Sequence, residues 1–264
     1  MAKDIGKPLQ GKAVLITGAA RRLGRDMALR AAEAGADVAI TFLTSAREAQ
    51  ETIVDICGFG VRGVALRCDV RDEHSVKATV KECVRELGGI DVLINNAGYY
   101  ETVDFEKITV EQWDRVFQSN ARGPFLMTRA ALKALRQRQG KVINLGSLGG
   151  VKPWAGHAHY CASKAALHML TRVMAKALAP QIAVNCVAPG MIELEEDTAQ
   201  VRSVRTGKKA ALARHRAFMR KMAERTPMKV NGTASDVTDA VMFFATAPRF
   251  ITGQILMVDG GLEL

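Results

Sequence analysis

A chain of 264 residues with 48% hydrophobic and 24% charged side chains has ordinary globular usage and enough length for one sizeable α/β domain. No apolar run reaches membrane-spanning length, MAKDIGKPLQ carries no secretory signature, and five scattered cysteines without a CxxC pair point to neither a disulfide framework nor a zinc site; a reducing cytoplasm, with no membrane and no metal, is the expectation. The formal net charge of +10 brings nucleic acid or another acidic partner into consideration, and it is uneven, because ten Lys and Arg between Arg202 and Lys229 stand against Glu224 alone.

Residues 13–18, AVLITG, read as a buried strand running into a turn, followed by Gly24 and a helical pattern through Ala28, Ala31, Ala32 and Ala34 that ends at Gly35. Strand, glycine turn and helix start together form an anion cradle, since backbone N–H groups and the helix dipole point at a bound phosphate. ADVAITF is a second strand, SAREAQETIVDIC a helix, GVALRCDV a third strand ending on Asp69, 72–87 a helix, and IDVLINNAG a fourth strand running into glycine. From Thr109 to Gln139 the spacing of Trp113, Phe117, Met127, Ala131 and Leu135 predicts one long helix interrupted at Pro124. Proline has no N–H, so the carbonyl of Asn120 loses its intrahelical partner and is placed to hold a water. Strand 141–146, a helix from about 159 to 179, strand IAVNCVAP, a basic helical stretch, a helix at 233–247 and strand QILMVDGG complete the chain.

Near-continuous apolar strands alternating with helices predict a parallel sheet covered on both faces, with ligands at the carboxyl ends of its strands. No linker or repeat divides the chain, so 1–264 reads as a single doubly wound α/β domain. Gly18, Asp69, Asn96, Ser147 and Pro189-Gly190 all fall at predicted strand ends.

The stretch from Ser147 to Lys164 concentrates the candidate chemistry. Tyr160 and Lys164 are spaced i, i+4 and share one face of the predicted helix, while Ser147 follows the strand KVINLG. An ammonium beside a phenol favours the phenolate, which makes the tyrosine a better proton donor and acceptor near neutral pH. The pair alone reads better as a partly buried Tyr and a surface Lys, since such a spacing arises by chance; Ser147 at a strand end and the other ordered strand-end residues reverse that.

The segments TGAARRLG at 17–24, CDV at 68–70, NNAG at 95–98, SNARG at 119–123, GS at 146–147, YCASK at 160–164, NCVAPG at 185–190 and ITG…VDGG at 251–261 resemble the short-chain dehydrogenase/reductase family in order and spacing. That resemblance implies a Rossmann-type sheet holding a nicotinamide dinucleotide. Gly18, Arg21, Leu23 and Gly24 would line the pyrophosphate and ribose turn, and Asp69 and Val70 would meet the adenine. Asn96, Ala97 and Gly98 would flank the riboses, and Pro189, Gly190 and Ile192 would cover the nicotinamide. Catalysis would use Asn120, Ser147, Tyr160 and Lys164: Tyr160 as proton donor, Ser147 as hydrogen-bond donor to the carbonyl oxygen, Lys164 holding the ribose and lowering the Tyr160 pKa, and Asn120 seating a water. The chain departs from the family's pattern in two places. Arg22 stands where most members with this turn carry glycine, a form similar to that of pteridine reductases, and MIELEED follows Pro189-Gly190 where a threonine is common.

An NAD enzyme of this fold needs an acid after the second strand to accept from the ribose 2′-OH. Thr41, Phe42, Leu43, Thr44 and Ser45 supply none before Glu48, and Arg21 and Arg22 could pair with a 2′-phosphate, so NADPH is the expected cofactor. Three readings of the substrate stay open. One is a ketone reductase of the 3-oxoacyl-[acyl-carrier-protein] reductase type, whose acidic carrier would suit a basic lid or insert at about 193–229. Another is a pteridine reductase-like enzyme, suggested by Arg22 and by Ser45-Ala46 after the second strand. The third is a non-catalytic dinucleotide-sensing or nucleic-acid-binding protein, disfavoured because a basic lid is more often a solvated helix face than a nucleic-acid site. A homotetramer is expected from the family's habit and from Met169, Val173 and Ala177 on the 159–179 helix.

Overall fold

The computed structural model describes residues 6–194 and 208–264. Seven parallel strands are arranged β3-β2-β1-β4-β5-β6-β7: β1 Ala13–Ile16, β2 Asp37–Phe42, β3 Gly63–Arg67, β4 Val92–Asn95, β5 Lys141–Leu145, β6 Ala183–Pro189 and β7 Ile255–Val258. The order reverses between β1 and β4, since β1 pairs with β2 on one side and with β4 on the other. A crevice opens at the carboxyl ends of the strands at such a reversal. The expected fold class is the observed one.

Alternation along each strand divides the core in two. Val14, Ile16, Val38, Ile40 and Ile143 face helices α1 (Arg22–Glu33), α2 (Ala46–Gly58) and the last helix, while Leu15, Ala39, Leu93 and Val142 face α3 (Glu73–Leu87) and two later helices. Ala28, Ala31 and Ala32, all 0% exposed, let α1 lie close on the sheet. Asp72 caps α3 by accepting from the N–H groups of His74 and Ser75, and Gly88 at φ 78 ends it in a left-handed turn that glycine adopts freely.

The helix expected from 109 to 139 is instead three segments. α4 (Val110–Phe117) begins with a capping box of Thr109 and Gln112, residues Gln118–Arg122 form a π-helical turn, and α5 (Gly123–Arg138) follows with Pro124 in its first turn. The Gly123 N–H reaches back five residues to the Gln118 carbonyl. Pro124 therefore opens a helix, where its missing N–H needs no partner, and the interruption is a widened turn. α6 (Ala158–Leu178), α7 (Lys208–Arg225) and α8 (Ala234–Thr246) complete the order.

Arg202 and Arg205 of the basic stretch lie outside the described residues, as do the side chains of Lys208, Lys209 and Arg214. Among the described side chains of α7 Met219 is buried, while Phe218 is half exposed beside exposed Arg216, Arg220 and Lys221. Among the described residues no helix is long and apolar enough to cross a membrane. Ile143, 0% exposed at the centre of the sheet, should cost about 2–5 kcal/mol when cut to alanine. Urea unfolding should show a lower midpoint with an unchanged slope.

Candidate active site

The crevice is built on a hydrogen-bond clamp between the ends of β1 and β4. Thr17 Oγ1 accepts the N–H groups of Asn96 (3.0 Å) and Ala97 (2.9 Å), and Asn96 Nδ2 donates to the carbonyls of Thr17 and Gly18, both at 2.9 Å. Gly18 turns at φ 63, and a Cβ there would stand 2.9 Å from the Cα of Ala97. A Cβ on Gly24 would stand 2.6 Å from the Ala19 Cα and the Gly18 carbonyl. Bare backbone at these two positions is what lets the turn close against the helix start.

A groove of about 490 Å³ results, bordered by Gly18, Arg21, Arg22, Leu23 and Gly24 from the turn, Thr41 to Ser45 after β2, Asp69 and Val70 after β3, and Asn96, Ala97 and Gly98 after β4. A cradle that side chains would fill, facing a helix N-terminus, fits a dinucleotide pyrophosphate. The 41–45 wall carries no acid, and buried Thr41 accepts the Gly18 N–H at 3.1 Å. The Asp69 carboxylate is held by the Arg71 guanidinium at 2.7–3.2 Å, which keeps it below the usual carboxylate range. Arg22 sits at φ 56, a left-handed conformation that costs a residue with a Cβ about 1 kcal/mol and explains why glycine is common at this point.

Ser147, 5% exposed, leaves β5 in extended conformation, and its Oγ accepts the Gly149 N–H at 3.1 Å. Having accepted there, the hydroxyl can spend its proton toward the Tyr160 phenol or a ligand oxygen. Burial pushes the Tyr160 phenol up to about 12, against the hydrogen bond with Ser147 that pulls it down. Burial draws the Lys164 ammonium down to about 8; its Nζ donates to the Leu145 carbonyl at 2.7 Å and lies 5.8 Å from the Tyr160 ring centre. Lys164 is not among the groups that pull the Tyr160 phenol down in this arrangement; desolvation dominates and favours the protonated phenol.

Asn120 lies in the π-helical turn, 1% exposed. Its Oδ1 accepts the Tyr99 N–H at 2.7 Å, and its Nδ2 donates to the Tyr99 carbonyl at 2.9 Å and to Ser163 Oγ at 3.0 Å. Ser163 Oγ in turn donates to the Tyr160 carbonyl at 2.7 Å. The side chain, beyond the backbone carbonyl that the sequence singled out, thus ties the loop after β4 to α6. Pro189 ends β6, Gly190 is pressed against Asp259, and Ile192 bridges to Gly232; none of these three lines the groove, whereas Leu194 does.

Sequence reasoning missed the rings around Tyr160. Tyr100 meets it edge-on with centres 4.9 Å apart, Trp154 lies nearly parallel at 6.4 Å, and His157 stacks on Tyr100 at 4.9 Å. None belongs to a periodic run, so no pattern announced them. His159, beside Tyr160 in the chain, turns away: fully buried, its Nε2 lies 3.5 Å from Glu101, which also pairs with Arg115. Among the described residues no cluster of His, Cys, Asp and Glu could hold a metal ion.

A family model described as enoyl-(acyl carrier protein) reductase matches residues 18–263. A 3-oxoacyl-[acyl-carrier-protein] reductase FabG of Staphylococcus aureus is 35% identical over 256 residues, covering 96% of this chain and 98% of that protein. The FabG reductase of Aquifex aeolicus is 33% identical over 258 residues, covering 96% and 98%. The crystal structure of a dehydrogenase/reductase from Sinorhizobium meliloti superposes with a TM-score of 0.85 at 33% identity, covering 98% of both chains.

The lowered Lys164 value sets a pH dependence. An unfolded lysine holds its proton to its ordinary value of 10.5, whereas folded Lys164 releases it near 8, so the unfolded state binds more protons in between. Stability attributable to Lys164 should therefore rise with pH from about 8 to 10.5, and urea unfolding of the parent against Lys164→Met across that window should show the difference growing upward.

Proposed function

The chain belongs to the short-chain dehydrogenase/reductase family, and from that premise we propose that this oxidoreductase reduces a ketone to a secondary alcohol with NADPH, in the manner of a 3-oxoacyl-[acyl-carrier-protein] reductase. The observation that carries the reading is the meeting of Ser147 at the end of β5, Tyr160 and Lys164 on α6 and Asn120 in the π-helical turn, with Asn120 and Lys164 close to Gly98 on the border of a groove shaped for a dinucleotide. Bound there, the nicotinamide would supply the hydride.

The rest of the chemistry falls to the chain. Tyr160, protonated because burial raises its phenol, delivers a proton to the ketone oxygen as negative charge develops. Ser147 donates a hydrogen bond to the same oxygen, its Oγ already oriented by the Gly149 N–H. Lys164 holds the ribose and restores the proton, and Asn120 keeps the loop after β4 aligned with α6. Arg21, Arg22 and Gly24, with Leu23, receive the phosphates; Asp69 and Val70 the adenine; Asn96, Ala97 and Gly98 the riboses; and Pro189, Gly190 and Ile192 the nicotinamide.

NADPH is supported by the acid-free wall at 41–45 and by the two arginines beside it. A carrier-bound substrate is supported by the exposed Arg216, Arg220 and Lys221 of α7 and by the names of the relatives. The exposed apolar side chains Trp113, Phe125, Met169 and Val173 on α4, α5 and α6 support association into a homotetramer in the cytoplasm.

Tyr160→Phe should lower kcat by at least about 100-fold while fluorescence titration shows nearly unchanged NADPH affinity. NADPH should bind more tightly than NADH by about 1–3 kcal/mol for each charge-assisted contact to the 2′-phosphate, and Arg21→Gln with Arg22→Gln should narrow the gap. Replacing Arg216, Arg220 and Lys221 together by Gln should raise the KM for a carrier-bound ketoacyl substrate and leave that for a short free ketone unchanged, and added salt should act on the parent in the same direction.

A further inference from the structure

His168 stands one turn beyond Lys164 on α6, is only 4% exposed, and has no part in the chemistry above. Its ring occupies space that two glycines leave open. A Cβ on Gly146 would meet Nε2 at 2.4 Å, and a Cβ on Gly150 would meet Cε1 at 2.4 Å. These glycines bracket the Ser147 loop, and neither needs a left-handed backbone. His168 Nε2 accepts the Ser147 N–H at 3.4 Å, which assigns the ring proton to Nδ1. Nδ1 is buried with no hydrogen-bond partner among the described residues. Leaving a buried N–H unpaired is costly, a cost that an aliphatic side chain of similar size would avoid. The acceptor nitrogen is what the imidazole offers in return.

We propose that His168 is a positioning residue for Ser147: its Nε2 fixes the Ser147 backbone and its ring wedges the 146–150 loop, so that the hydroxyl meets the ketone oxygen together with Tyr160. The proposal rests on the reading of Ser147 as the hydroxyl that polarises the carbonyl. The groups around the ring keep it an acceptor. Burial first, then Lys164 and Arg172 on the same helix, draw the imidazole down to about 4, and Cys186 of β6, which crowds the same side of Gly146, has its thiol pushed up to about 12 by burial. A neutral ring beside a neutral thiol therefore holds the loop throughout the neutral range.

The test is a double-mutant cycle on the full enzyme, with kcat for a short ketone and NADPH affinity as readouts. His168→Met, similar in length and without the ring acceptor, should lower kcat about 10- to 100-fold with NADPH affinity held within about twofold, the scale of a misplaced catalytic group. His168→Gln, which restores an acceptor, should stay within about threefold of the parent. In a Ser147→Ala background His168→Met should cause no further loss. Unchanged kcat in His168→Met, or an equal loss in both backgrounds, overturns the proposal and leaves the role of Ser147 standing. A Ser147→Ala enzyme with parental kcat overturns the Ser147 reading and the proposal with it. His168→Leu serves as a second acceptor-free variant, and if both it and the Met variant fail to fold while His168→Gln folds, the residue is structural and the proposal falls.

Discussion

The clamp between Thr17 and the Asn96-Ala97 backbone is the constraint on which the rest of the site depends. Two parallel strands whose helices leave on opposite faces would splay at their ends, and one hydroxyl that accepts two N–H groups prevents it. From that point hydrogen bonds continue without a gap in the chain's logic: Ala97 leads to Gly98 and Tyr99, Tyr99 is gripped by Asn120, Asn120 by Ser163, and Ser163 by the backbone of Tyr160. The glycine turn after β1 and Tyr160 are thereby parts of one framework. A buried network of this kind is rigid only when its members are satisfied, and each step here has its partner.

Desolvation sets the electrostatic character of the reaction centre. It raises the Tyr160 phenol and lowers the Lys164 ammonium, so both groups are biased toward neutrality. A protonated phenol is the form that can give up a proton, and a dry setting would strengthen a hydrogen bond from the Ser147 hydroxyl to an oxygen on which negative charge develops. The rings of Tyr100 and Trp154 deepen the same effect by covering Tyr160 with apolar surface.

Strand positions, most helix positions and the grouping of Gly18, Asp69, Asn96 and Ser147 at strand ends were legible because burial writes a periodic pattern into the chain. What stayed hidden has other physical origins. The widened turn at Gln118–Arg122 leaves the apolar period nearly intact on either side, so it reads as an ordinary proline kink. Arg22 looked like a substitution in a glycine motif, and only its backbone angle shows that the arginine has taken over a left-handed position. The Thr17 clamp, the Asn120 side-chain bonds and the ring contact of Tyr100 with Tyr160 join residues far apart in sequence, for which no local signal exists.

The widened turn also changes which neighbours a continuous helical rod can serve. Each residue in an α-helix advances the side-chain direction by about 100°, so one extra residue swings everything downstream by that amount. Before the turn α4 leans on α6; after it α5 leans on α3 and buries Leu126, Met127, Ala131 and Leu135 against the sheet. A loop inserted to make the same change of direction would have left carbonyls and amides to be satisfied under the site. The extra residue acts instead as a swivel, and Asn120, carried on it, is held where the two halves of the rod part company.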